Sequence, residues 1–234
     1  MEKKRCTAIV LAAGRGSRMG TKIQKQYLEI GGRPVLYYSL AAFEASAVID
    51  DVVLVVGEGQ EAYCREEIVE KYHFTKVHTI TPGGSERYES VYKALCVIRD
   101  EGYVFIHDGA RPFVTEEIIG RAYEAVCGHR ACVVGMPSKD TIKVADEAGY
   151  SRETPDRSYL WCIQTPQVFE TALVKDAYAR LMQEPCVQVT DDAMVVEQML
   201  GLPVKLVEGS YRNIKITTPE DMAVAEAFLA LPEK

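Results

Sequence analysis

Arg15, Arg18, Lys22 and Lys25 crowd one glycine-rich stretch, Leu11-Ala-Ala-Gly14-Arg-Gly16-Ser-Arg18-Met-Gly20, which runs on to Lys25-Gln26-Tyr27. It follows an apolar run, Cys6–Leu11, that reads as a buried strand. No acid occurs between Glu2 and Glu29, although the chain carries a net charge of −7. Small residues let backbone N–H groups approach a ligand closely. A cationic loop at the end of a strand in an acidic protein points to a polyphosphate site. A solvated basic loop is the plainer reading of the same residues. The spacing excludes two common phosphate motifs. Three residues, Ser17, Arg18 and Met19, separate Gly16 from Gly20, where the dinucleotide fingerprint needs two. Counted from Gly14, the second glycine of a Walker A loop is replaced by Met19,. Both motifs also pass straight into a helix, whereas no helical periodicity begins here before about Pro34.

A second candidate is Asp108, in His107-Asp-Gly-Ala-Arg111-Pro112, at the end of an apolar strand. A carboxylate there can hold Mg²⁺ against phosphate oxygens, or it can merely cap the turn. His107 alternates away from Asp108 and reads as structural. Pro82-Gly-Gly84-Ser85-Glu86-Arg87, with Ser90, is a tight turn entering a helix. Its amides and hydroxyls suit the edge of a base, or the turn is only a turn, with Glu86 and Arg87 paired on the helix surface. Further cations lie downstream at Lys139, Lys143, Arg152, Arg157 and Lys215, with hydroxyls at Thr141 and Thr165. Taken alone, Lys215 is an edge-strand charge.

One reaction needs such a distribution. If a substrate phosphate attacks the α-phosphate of a nucleotide, two anions must meet. Two unit charges ~4 Å apart repel by ~4 kcal/mol at an effective dielectric near 20. Cations are therefore needed on both reactants. A strong base is not, because a phosphate monoester with a second pKa of ~6 is already ionised at pH 7. The lack of an obvious Ser-His-Asp or Cys-His arrangement is then expected.

The elements that must position these residues alternate along the chain. Strands are expected at 51–56, 77–81, 103–107 and 131–136, with helices at 58–72, 86–99 and from Thr115, which serves as an N-cap,. This rhythm implies an α/β, Rossmann-like, mostly parallel sheet flanked by helices, with ligands outside the carboxyl ends of the strands. It breaks after Pro137. Strand-like pieces at 141–145 and 159–163, with a turn near 146–149, read as an extended β-hairpin arm within about 138–160. Such an arm is marginal alone and must pack on something, a second subunit being one choice. Helices at 171–182 and 191–200, strands at 203–207 and 213–216, and a last helix opened by Thr218-Pro219-Glu220-Asp221 complete the pattern,.

Composition limits the rest. The chain of 234 residues is 47% apolar and 26% charged, as in an ordinary globular protein, and is read as one domain, 1–234, with the arm protruding. No apolar run approaches the ~20 residues of a membrane span, and no signal-peptide ending follows the N-terminal charges. The seven cysteines are odd in number and scattered, without a Cys-x-x-Cys pair. They suit reduced thiols in a cytoplasm better than a disulfide frame or a zinc site. The negative charge argues against general nucleic-acid binding.

With these motifs in hand the chain resembles the nucleotidyltransferases that activate sugar and polyol phosphates. His107–Pro112, Asp140-Thr-Ile-Lys143, Asp156-Arg157, Gln164-Thr-Pro-Gln167 and Asn213-Ile-Lys-Ile-Thr217 narrow the resemblance to the 2-C-methyl-D-erythritol 4-phosphate cytidylyltransferase family. It extends from about Cys6 to Phe228. The resemblance implies a fold with a dimerisation arm, CTP and a polyol phosphate as substrates, Mg²⁺ as cofactor, and a place in non-mevalonate isoprenoid precursor biosynthesis. It implies that Arg18 and Lys25 stabilise the triphosphate in the transition state and that Ala12, Ala13, Gly14 and Gly16 lie along the nucleotide. Gly84, Ser85 and Ser90 would face the cytosine. Asp108 would meet the metal and the substrate hydroxyls. Arg157 and Lys215 would orient the substrate phosphate, helped by Thr141 and Thr165. A homodimer with exchanged arms is implied, in which Thr141 and Arg157 serve the neighbouring subunit. The chain departs from the family pattern at Gln24, where proline is common, at Ser85, where an acid is common, and at Gly109, where alanine is common. It stops soon after its last helix, so no fused downstream synthase is expected. Two other activities stay open: ribitol 5-phosphate cytidylyltransferase, and a non-catalytic nucleotide-binding regulator on the same fold.

Overall fold

The first strand, β1 (Cys6–Ala12), decides the layering. Its side chains alternate between the two faces of a sheet. Cys6, Ala8, Val10 and Ala12 join one buried cluster, and Ile9 and Leu11 join another. A strand buried on both faces needs helices on both sides. The structure, a computed structural model, describes residues 3–14, 23–184 and 188–231. Arg15, Gly16, Arg18 and Lys22 of the glycine-rich stretch lie outside the described residues.

After β1 come a 3-10 turn at Lys25–Tyr27, the short strands β2 (Glu29–Ile30) and β3 (Arg33–Pro34), α1 (Val35–Ala45) and β4 (Asp51–Val56). Helix α2 (Glu61–Cys64) continues as a π-helical Arg65–Glu70 and leads to β5 (Val77–Pro82). Next are α3 (Arg87–Val97), β6 (Tyr103–Asp108), α4 (Glu116–His129) and β7 (Ala131–Pro137). The remainder is β8 (Val144–Ala145), β9 (Ser151–Glu153), β10 (Trp161–Glu170), α5 (Thr171–Leu181), α6 (Asp192–Leu200), β11 (Lys205–Glu208) and α7 (Pro219–Ala230).

The main sheet has seven strands in the order β11-β7-β10-β6-β1-β4-β5. Only β10 runs against its neighbours, pairing antiparallel with both β6 and β7. The expected mostly parallel sheet flanked by helices is thus observed. α1 and α4 cover one face; α3, α5 and α6 cover the other. A smaller cluster of Ile30, Val35, Ile216 and Ala225 ties α7 to the β2–β3 hairpin.

Several expected elements differ. The hairpin in the arm pairs β8 with β9. The piece at 159–163 is not its partner but the entry to β10, in the middle of the sheet. Ser151-Arg-Glu153 is exposed on every residue, so it has no apolar alternation to mark it as a strand. The segment 213–216 is not a strand. It is pinned instead by Ile216 N–H on the Ala110 carbonyl at 2.8 Å. Thr115 holds the N-cap position of α4 without capping it; its hydroxyl bonds Glu117.

Reversal of β10 has a functional consequence. Gln167 lies opposite Ile106, so the early part of β10 reaches the carboxyl end of β6. That is where ligands bind in sheets of this kind.

Candidate functional site

The carboxyl ends of β1, β5 and β6 border a cavity of about 360 Å³. Ala12, Ala13, Gly14, Lys25, Gly84, Ser85, Ser90, Asp108 and Lys215 all line it. An adjoining cavity of about 250 Å³ is lined by Thr165 and Gln164 and shares Arg87, Asp108 and Lys215 with the first. Most of the residues singled out in the sequence are therefore brought together in one region. Thr141 and Arg157 are exposed on the arm, line neither cavity, and Arg157 donates to the Lys139 carbonyl at 2.9 Å. Arg18 and Gly16 lie outside the described residues.

Gln26 sets the glycine-rich wall. Its side chain is buried and its amide donates to the carbonyls of Ala12 at 2.6 Å and Gly14 at 3.2 Å. The neighbouring Lys25 is thereby fixed beside the strand end. On the opposite wall, Ser90 accepts from Gly84 N–H at 2.9 Å and donates to the Glu86 carbonyl at 3.1 Å. Its hydroxyl proton is spent inside the turn, so it shapes the wall rather than donating to a ligand. A side chain at Gly83 would strike Ala13 and Ser90, which is why the two walls can approach so closely.

Asp108 is the electrostatic centre. It is 8% exposed and faces three cations: Lys215 Nζ at 2.7 Å, Arg87 Nε at 3.4 Å and Arg111 Nε at 3.9 Å. Burial alone would raise its pKa; the charges of Arg87, Lys215 and Arg111 overcome this and hold it well below the ordinary carboxylate range,. Arg111 bonds the Asn213 carbonyl at 2.7 Å, and Asn213 bonds the Thr165 carbonyl at 2.9 Å. These bonds carry Lys215 onto the site without a strand to support it.

The plainer reading of the turn paired Arg87 with Glu86 on the helix surface. It is instead bidentate on Asp192, at 2.8 and 2.7 Å, across the gap between the first turns of α3 and α6. Asp192 is fully buried and also accepts from Tyr178 Oη at 2.5 Å. Gln167 Oε1 caps the same helix start through Asp192 and Ala193 N–H at 2.9 and 2.8 Å. Asp192 carried no local signal, since its partners Arg87 and Gln167 lie far off in sequence. The cluster sets Arg87, Arg111 and Lys215 against Asp108 and Asp192. Asp191, which lines the second cavity with the three cations, brings the acids to three against them, so the cations are held in place by paired carboxylates.

His107 is structural, as expected. It is fully buried. The Arg111 carbonyl at 3.2 Å from Nε2 can only accept, so Nε2 carries the proton. The bare Nδ1 then accepts from Thr165 Oγ1 at 3.0 Å. Thr165 in turn accepts from Asp108 N–H at 3.0 Å. Its proton is committed, and what it offers a ligand is a lone pair, suited to a hydroxyl rather than a phosphate.

Burial lowers the His107 pKa from 6.5 to about 4. In that interval the unfolded chain binds a proton that the folded chain does not. The contribution is whole above pH 6.5, falls as pH drops toward 4, and amounts to about 3 kcal/mol over that span. Asp108, with its depressed pKa, adds acid sensitivity only below the ordinary carboxylate range. Urea unfolding at pH 7 and pH 4.5 should therefore show a loss of stability that His107→Gln largely abolishes. An equal loss in the variant would remove His107 from the acid response.

None of the described residues forms a group of three or more His, Cys, Asp or Glu able to hold a metal. The described cysteines are free. No helix among the described residues is long and apolar enough to cross a membrane.

Comparison with known proteins agrees with this geometry. The family model for IspD, 2-C-methyl-D-erythritol 4-phosphate cytidylyltransferase, matches residues 6–231. The chain is 51% identical to the protein of that name from Lachnospira eligens, over 95% of this chain and 98% of the relative. It is 50% identical to the one from Caldanaerobacter subterraneus subsp. tengcongensis, with the same coverage. The crystal structure of 4-diphosphocytidyl-2C-methyl-D-erythritol synthase from Anaerococcus prevotii superposes with a TM-score of 0.87, at 35% identity and 98% coverage of both chains. These likenesses extend over nearly the whole length: the chain belongs to the 2-C-methyl-D-erythritol 4-phosphate cytidylyltransferase family of nucleotidyltransferases.

Proposed function

We propose that this enzyme transfers the CMP moiety of CTP to 2-C-methyl-D-erythritol 4-phosphate, giving 4-CDP-2-C-methyl-D-erythritol and pyrophosphate. The observation that carries the reading is the pair of adjoining cavities that share Arg87, Asp108 and Lys215. One takes the nucleotide and the other the acceptor. An acceptor phosphate oxygen attacks the α-phosphorus, the bond to the bridging oxygen breaks, and pyrophosphate leaves. Lys25, with Arg18, neutralises the leaving side. Lys215 neutralises the attacking side, and Asp108 holds its ammonium in place. Thr165 accepts from an acceptor hydroxyl. The chemistry is positioning and charge stabilisation, without a base.

Mg²⁺ fits this donor set in one way. Asp108 is a single carboxylate already surrounded by cations, so the ion must bring anionic ligands with it. Mg²⁺ is commonly held by one or two carboxylates plus substrate phosphates. Asp108 and the triphosphate would hold it, and when bound it supplies further neutralisation of the phosphate oxygens.

The exposure of Thr141 and Arg157 supports a homodimer in which each arm completes the partner's acceptor site. A single domain with the protruding arm, working in the cytoplasm, accords with this reading. Pyrophosphate release from CTP with 2-C-methyl-D-erythritol 4-phosphate and ribitol 5-phosphate in parallel tests it. Turnover with the first acceptor is expected. Turnover with ribitol 5-phosphate alone would replace the assignment, and turnover with neither would favour a nucleotide-binding regulator.

A further inference from the structure

Asp192 is fully buried at the start of α6 and lines neither of the two cavities. A buried ion pair is a weak source of stability, since well-packed apolar residues often serve as well. What it does supply is fixed geometry. Arg87, from the first turn of α3, gives Asp192 one bond from each terminal nitrogen, at 2.8 and 2.7 Å. Two parallel bonds of this kind set the plane of a guanidinium. The carboxylate is itself held. Tyr178 Oη of α5 donates to its Oδ1, and Gln167 of β10 accepts from the N–H groups of Asp192 and Ala193. Three elements, α5, α6 and β10, thus fix the angle at which Arg87 enters the site.

At that angle Arg87 offers Asp108 an edge and not a fork. Its Nε approaches Asp108 Oδ1 at 3.4 Å, whereas Lys215 Nζ lies 2.7 Å from Oδ2. Asp108 therefore stands between two cations, with the closer contact to Lys215. An arginine without another partner pairs bidentately with a carboxylate. Asp191 is occupied, with Oδ1 accepting from Met194 N–H at 2.9 Å and Oδ2 from Gln167 Nε2 at 3.0 Å. Asp108 is then the carboxylate that Arg87 would take if Asp192 released it.

We propose that Asp192 is a positioning residue for the acceptor: by engaging both terminal nitrogens of Arg87 it keeps that guanidinium from capturing Asp108, and so leaves Asp108 to hold Lys215. Asp192 acts through Arg87 and touches no substrate. The proposal rests on the reaction given above, in which Lys215 meets the attacking phosphate.

Asp192→Asn keeps the shape and removes the charge. Arg87 should then turn onto Asp108 and displace Lys215. With CTP saturating, the acceptor KM is expected to rise about tenfold and kcat/KM to fall about 10- to 100-fold, the range for a hydrogen bond to a charged group. The CTP dissociation constant from calorimetry should hold. Partial unfolding alone lowers the active fraction and hence kcat, and leaves KM where it was. Arg87→Gln completes a double-mutant cycle. With Arg87 gone Asp192 has nothing to restrain, so the double variant should lose no more than Arg87→Gln by itself; losses that multiply would overturn the proposal. Tyr178→Phe loosens Asp192 without removing its charge. It should raise the acceptor KM by about threefold, as for a single neutral hydrogen bond, and it carries the test if Asp192→Asn does not fold. An unmoved acceptor KM in the variants that fold would also overturn the proposal. If the wild-type enzyme turns over no acceptor, the proposed function fails, and crystal structures of the variants decide the restraint separately. A guanidinium turned onto Asp108 supports it, and Arg87 unmoved contradicts it.

Discussion

Replacing Lys215 with alanine should lower kcat/KM for the acceptor by about a thousandfold. The ammonium lies 2.7 Å from Asp108 Oδ2 and lines both cavities, where in the proposed reaction the two phosphates meet. One unit of uncompensated repulsion at ~4 Å costs ~4 kcal/mol at an effective dielectric near 20, and about 1.4 kcal/mol is a factor of ten in rate. Asp108 would make matters worse. With Lys215 gone, Arg87 at 3.4 Å and Arg111 at 3.9 Å are the cations left on it among the described residues, and Arg87 is shared with Asp192, so the carboxylate field opposes the incoming phosphate more strongly. Lys215→Arg should recover part of the loss, because a guanidinium restores the charge with different geometry. Steady-state pyrophosphate release over a range of acceptor concentrations checks this, with thermal melting as a control for folding. A loss below tenfold would take Lys215 out of the acceptor site.

Lys25→Ala should produce the second large effect, of a different kind. Lys25 opens the 3-10 turn that Gln26 bolts to the end of β1. In the proposed reaction its place is on the leaving side, where charge accumulates as the bond to pyrophosphate breaks. An interaction that strengthens in the transition state raises kcat more than it tightens binding. Loss of a preorganised cation at such a point is expected to lower kcat by about 100- to 1000-fold, while the CTP dissociation constant rises only a few-fold. Single-turnover rates set beside CTP binding by calorimetry separate the two quantities. An equal loss in both would make Lys25 a binding residue only.

How much of this was legible in the sequence depends on whether the signal was local. The glycine-rich wall, Asp108 and the 82–90 turn announce themselves through short-range patterns of small residues, charges and strand ends, and the fold gathers them. Arg87 did not, because the residue that orients it, Asp192, lies on another helix and is brought near only by packing of α3 and α6 on one face of the sheet. Lys215 looked like a strand residue because Ile214 and Ile216 flank it. Its support comes instead from Arg111, Asn213 and the Ala110 carbonyl. The direction of β10 was also hidden, since antiparallel insertion leaves no mark on apolar periodicity. Yet that direction is what delivers Thr165 to Asp108. The hydrogen-bonding polarity of a hydroxyl was not legible either. Thr165 and Ser90 are at the site, but His107 and the Glu86 carbonyl consume their protons.

The central claim is that the acceptor phosphate attacks the nucleotide directly and that the protein supplies charge and position, not a nucleophile. CTP made chiral at the α-phosphorus by sulfur substitution reads this out in the configuration of the product. A single in-line displacement inverts that centre, and inversion is the predicted result. Retention would require two displacements through a cytidylylated side chain and would contradict the account.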